Sequence, residues 1–108
     1  MSEHYKIVYS YDALNDLKKI YSYIAFDLKV PQTAKNHINK IRKQINSLDH
    51  MPMRHSVVDW EPWKSMHMHK VSVDNYIVFY TVSQTDLIVT VIRIFYGGRN
   101  IEDIIKEL

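Results

Sequence analysis

Residues 71–99, VSVDNYIVFYTVSQTDLIVTVIRIFYGGR, constrain this chain more than any other stretch. Ile77, Val78, Phe79, Tyr80 and Val82 form one run, and residues 88–96 form another. Both are rich in β-branched and aromatic side chains, which suit a pleated and packed surface. The polar break Gln84-Thr85-Asp86 separates them, so an antiparallel hairpin is the simplest connection, and Gly97-Gly98 ends the second strand. One charge interrupts that second strand: Arg93, on the odd-numbered side between Val91 and Phe95. A charge in such a run is either held by a partner or placed for use. Two readings stand for it, a functional cation and a structural ion pair with a carboxylate such as Asp16.

The remaining elements fall around this hairpin. Residues 5–9 (YKIVY) form a short strand, at the edge or second in the sheet. Ser10 and Asp12 offer N-cap chemistry before Ala13, Leu14, Leu17, Ile20, Tyr21, Ile24 and Leu28, which recur at the spacing of an amphipathic helix. Lys29-Val30-Pro31 ends that helix, and Pro31 suits the first turn of the next. There Ala34, Ile38, Ile41, Ile45 and Leu48 form the inner stripe, with Lys35, Asn39, Arg42, Lys43 and Asn46 outside. So short a break predicts an antiparallel helical hairpin. Residues 49–65 are a long connection with Pro52, Pro62, Trp60 and Trp63. Residues 66–73 (MHMHKVSV) read as a strand, and Asp74-Asn75 as a turn. Asn100 caps a last short helix with Ile101, Ile104, Ile105 and Leu108 inside. The order β-α-α-β-β-β-α is an α+β layout: two helices on one face of a mostly antiparallel sheet, the other face partly open.

At 108 residues the chain suits one domain, spanning 1–108. No apolar run is long enough for a bilayer and no secretory leader is visible, so no membrane partner is expected and a cytoplasmic location follows by default. Cysteine is absent, which excludes disulfides and thiol chemistry. The net charge of +2 is unevenly spread. Lys29, Lys35, Lys40, Arg42, Lys43 and Arg54 face only Asp49 in their segment, whereas charges from Lys64 onward balance. That segment is either a solvated helix face or a surface for an acidic partner or phosphates.

Four motifs in order then carry a resemblance: YSYDALNDLKKIYSYI (9–24), LDHMP (48–52), HKVSVDNYIVFY (69–80) and VIRIFYGGRNIEDII (91–105). The first resembles the Ala-x-x-Asp-Leu-x-x-Ile helix of the RelE/ParE superfamily of toxins from bacterial type II toxin–antitoxin systems, here Ala13, Asp16, Leu17 and Ile20. The last resembles that family's V-x-R-I-x-H-G-x-R-D-I tail, with Val91, Arg93, Ile94, Tyr96, Gly97, Arg99, Asn100 and Ile101. The resemblance implies a RelE/ParE-like fold and a cognate antitoxin that folds on binding. That antitoxin would cover Leu17, Ile20, Tyr21 and Ile24, and its acidic tail would meet Lys35, Arg42 and Lys43.

One fold in this family serves two activities. RelE-type members cut messenger RNA on the ribosome; ParE-type members inhibit DNA gyrase. Under the RelE reading the catalytic set is Lys70, Arg93 and Arg99, with His67 or His69 as acid and base. The sequence departs from that pattern. Ile77 stands where RelE members carry an arginine, Arg99 is shifted behind two glycines, and Tyr96 replaces a histidine with a phenol that is a poor base near neutrality. The tail and last helix are closer to ParE. A third reading is an inactive module that only binds antitoxin. His67 and His69 on one strand face could bind zinc, but no third ligand is evident, so neither a metal nor a cofactor is expected. Trp60 and Trp63 either stack on a base or cover a core edge.

Overall fold

The computed structural model describes residues 3–97 and 100–106, so the expectations for Arg99 and Leu108 lie outside the described residues. Strand β1 (Lys6–Tyr9) leads into helix α1 (Tyr11–Ser22), which widens into a π-helical stretch at Tyr23–Asp27. Helix α2 (Pro31–Asn46) follows, then the 3₁₀ turns Ser47–Asp49 and Pro52–Arg54. Strands β2 (His69–Val73), β3 (Tyr76–Ser83) and β4 (Ile88–Tyr96) precede the short helix α3 (Ile101–Lys106). The sheet order is β1-β4-β3-β2, antiparallel except for β1, which pairs in parallel with β4 at one edge.

Local chemistry explains the joints. The Ser10 hydroxyl accepts from the Ala13 N–H at 3.0 Å and donates to the Ile92 carbonyl at 2.8 Å, so one side chain caps α1 and ties it to β4. The π-helical stretch is fixed by the Leu28 N–H reaching the Tyr23 carbonyl at 3.0 Å. That wider turn lets the adjacent residues Ile24 and Ala25 both enter the core, while Tyr23 and Phe26 stay exposed. Pro31 occupies the first turn of α2, where no N–H is needed.

The helical hairpin covers one face of the sheet. Leu17, Ile41, Ile45 and Leu48 pack there on Val71, Val78, Tyr80, Val89, Val91 and Ile94. The opposite face was expected to be partly open, and its middle is covered instead. Phe79 and Phe95 lie under Val58, Trp63, Met68 and the α3 residues Ile101 and Ile105. The expected odd-numbered side of the closing strand also needs correction. Tyr80 pairs with Val91 but Phe79 pairs with Arg93, so Ile92 is an extra residue that reverses the alternation. Val91 therefore belongs to the helix-side core and Phe95 to the opposite one. The strand expected over residues 66–73 begins only at His69, because His67 takes a left-handed turn at φ 54°.

Candidate functional site

Lys70, Phe79 and Arg93 occupy one row across β2, β3 and β4. Two strand spacings, about 10 Å, separate the backbones of the two cations, with the buried Phe79 between them. Phe79 is walled in by Trp63 at 4.8 Å and Phe95 at 6.2 Å between ring centroids. Trp60 stacks on Trp63 at 5.1 Å, and Trp63 is buried, so the tryptophans close a core edge. The Lys70 ammonium is exposed on the edge strand.

Arg93 is engaged elsewhere. Its Nε donates to Asp16 Oδ2 at 2.8 Å and its Nη2 to Asp16 Oδ1 at 3.0 Å. Asp16 Oδ2 also accepts the Ile94 N–H at 2.9 Å. β1 ends before this part of β4, and a carboxylate from α1 takes the place of the missing strand partner. Donating its hydrogen bonds to the Asp16 carboxylate holds the Arg93 pKa above its usual value. The guanidinium also lies 4.4 Å from the centroid of the Phe95 ring. Of the two readings open for Arg93, the geometry realises the ion pair with Asp16.

The two histidines do not share a face. His67 is exposed in the turn, while His69 is buried in the strand. The His69 Nδ1 lies 2.8 Å from the His55 carbonyl, which only accepts, so Nδ1 carries the proton. Its ring stacks on Tyr80 at 5.2 Å, and the Tyr80 hydroxyl donates to the Pro52 carbonyl. Burial pushes the Tyr80 pKa up to about 12. Burial likewise lowers the His55 pKa, with Arg54 and His69 adding to the effect.

On the helical hairpin the structure divides the expected partner-binding set. Leu17 and Ile24 are buried in the core and Ile20 packs against it. Tyr21 reaches solvent, beside Leu14, Tyr23, Phe26, Leu28 and Val30, which are exposed as well. The stripe read from the 3–4 periodicity is therefore split: Leu17, Ile20 and Ile24 turn to the core, whereas Leu14, Tyr21 and Leu28, counted in the same stripe, reach solvent. A shallow groove runs along this outer surface between Lys18, Lys19, Tyr23 and Phe26. Lys35, Arg42 and Lys43 are exposed on α2, with the Arg42 guanidinium 5.6 Å from the centroid of the Tyr9 ring.

Residues 7–101 match the family described as the ParE toxin of the type II toxin–antitoxin system parDE. The chain belongs to the ParE toxin family. No curated protein matches it. Among solved structures, the fold is similar to a chain of the chromosomal ParDE system from P. aeruginosa, with a TM-score of 0.70 and 17% identity over 86% of this chain and 96% of that one. It is also similar to a chain of the RelBE2 toxin–antitoxin complex from Mycobacterium tuberculosis, at 0.64 and 14% identity over 90% and 95%. A chain of the archaeal RelE–RelB complex from Pyrococcus horikoshii OT3 superposes at 0.60 with 16% identity over 89% and 98%. The α+β architecture is thus that of RelE/ParE toxins. No helix among the described residues of this ParE-family toxin is long and apolar enough to cross a membrane.

Proposed function

We propose that this ParE-family toxin inhibits DNA gyrase by protein–protein contact and is neutralised by a cognate antitoxin. The observation that carries the reading is the Asp16–Arg93 pair. A ribonuclease needs a base near a ribose hydroxyl and a free cation aimed at the scissile phosphate. Here the strand arginine is held by two hydrogen bonds to a carboxylate, Lys70 stands across Phe79 from it, and His69 is buried. A binding surface needs only shape and charge.

The antitoxin surface in this reading is the outer face of the helical hairpin. Tyr21, Tyr23 and Phe26 offer apolar anchors, and Lys35, Arg42 and Lys43 face an acidic segment. Leu17, Ile20 and Ile24 support it from beneath. Reversing Lys35, Arg42 and Lys43 to glutamate slows association with the antitoxin and flattens its salt dependence; unchanged kinetics removes these residues from the interface.

For the target, purified toxin added to purified gyrase is expected to block supercoiling of relaxed plasmid while ribosome profiles stay normal. Supercoiling that continues unimpaired, with message cleavage lost in Lys70→Ala, would replace this reading with the RelE-type nuclease. Production without antitoxin that leaves growth unaffected would leave only the antitoxin-binding module.

A further inference from the structure

Away from the sheet, three side chains with metal-binding atoms meet where the chain enters β1 and leaves α2. His4, Asp49 and His50 each present one ligand atom, and these atoms all lie within 4.8 Å of one another. Backbone contacts hold the two segments together. The Tyr5 N–H donates to the Asp49 carbonyl at 2.9 Å, which fixes the approach to β1 against the 3₁₀ turn. Arg54 donates to the carbonyls of His50 and Met51, bracing the same turn from its far side. The His4 and His50 rings already touch edge to face, with centroids 4.3 Å apart.

We propose that His4, Asp49 and His50 form a binding site for a divalent transition-metal ion of the zinc type. Two imidazoles and one carboxylate suit zinc, whereas calcium and magnesium favour oxygen donors throughout. Tetrahedral zinc with Zn–N bonds of about 2.0–2.1 Å holds its ligands about 3.3 Å apart, so no pair here needs to close by more than about 1.5 Å. Both imidazoles are exposed, and rotation about their side-chain bonds accommodates that movement. Water completes the coordination on the solvent side. The bound ion clips the entrance of the edge strand to the turn after α2, joining segments far apart in sequence. None of these residues belongs to the sheet row or to the outer face of the hairpin, so the proposal stands independently of the target.

The test uses the untagged protein, with thermal unfolding measured in zinc chloride, in cobalt chloride and in chelator. Wild type is expected to gain about 5 °C or more in Tm at tenfold metal excess over the dissociation constant, and to lose the gain in chelator. Cobalt is expected to give the visible absorption of a four-coordinate site. His50→Ala and Asp49→Asn lose both signals while keeping the metal-free Tm of wild type. Should His50→Ala fold poorly, His4→Ala, on the segment preceding β1, decides the matter by the same two signals. The absence of a metal-dependent shift in wild type overturns the proposal, leaving ring packing as the sole role of the two histidines. A shift that persists in these variants overturns it equally, because the metal then binds elsewhere.

Discussion

The two faces of the sheet are filled by different chemistry arriving by different routes. On one face, aliphatic side chains from two regular helices, Ile41, Ile45 and Leu48 foremost, meet the valines of β2–β4. On the other, an irregular connection and a short helix bring Trp63, Met68, Val58 and Ile101 over Phe79 and Phe95. The first face is continuous with the backbone hydrogen bonding of two helices, so it opens only when the whole fold does. The second is held by single side chains from segments with little regular structure, and such segments open locally at lower cost. Sharing one sheet does not make the two cores equally cooperative.

Truncations separate them. Ile45→Ala and Trp63→Ala are each expected to cost about 3–4 kcal/mol, from lost burial and residual cavity. Hydrogen exchange distinguishes the two losses. Ile45→Ala is expected to speed exchange in all elements together, whereas Trp63→Ala does so first in residues 55–68 and in α3. Uniform acceleration in both variants would break the comparison.

The Asp16–Arg93 pair sits at the seam of the two faces, anchoring α1 to β4 while its guanidinium lies against Phe95. Asp16→Ala strands both the guanidinium and the Ile94 N–H. With the Arg93 side chain 21% exposed, water softens that penalty to about 2–3 kcal/mol, read from denaturant unfolding. A loss below about 0.5 kcal/mol would mean that the seam carries no load.

Legibility in the sequence followed the same division. The helix-side face could be read because Leu17, Ile41 and Ile45 recur at helical spacing and the strand valines alternate. The opposite face could not, since Trp60, Trp63 and Met68 have no period, and only the fold brings them over Phe79. Arg93 was visible as a misplaced charge, and Asp16 as one of its conceivable partners. The extra residue at Ile92 left no signal, and it decides which face each neighbour joins. At the candidate site the stripe was legible but its two edges were not: Leu14 and Tyr21 share the spacing of Leu17 and Ile24, and only the packing of the hairpin leaves the first pair exposed and buries the second. His4 and His50 lie far apart in the chain, and proximity of that kind has no local signature.

The smallest expected effect concerns Tyr80, whose ring lies in the helix-side core and whose hydroxyl reaches the loop at Pro52. Tyr80→Phe removes that hydrogen bond and costs about 1–2 kcal/mol at neutral pH. Burial keeps the folded-state pKa at about 12, above the ordinary tyrosine value of 10.0. Between those values the unfolded chain loses its phenolic proton while the native chain retains it, so stability falls as pH rises. Tyr9 and Tyr76, also raised by burial, add to the fall in wild type and remain in the variant. The difference between the two stability curves above pH 10 is therefore Tyr80's own share. Wild type is expected to lose its advantage across that interval. Parallel curves would mean that the hydroxyl ionises as freely in the fold as out of it, and that the loop does not seal the edge of the helix-side core.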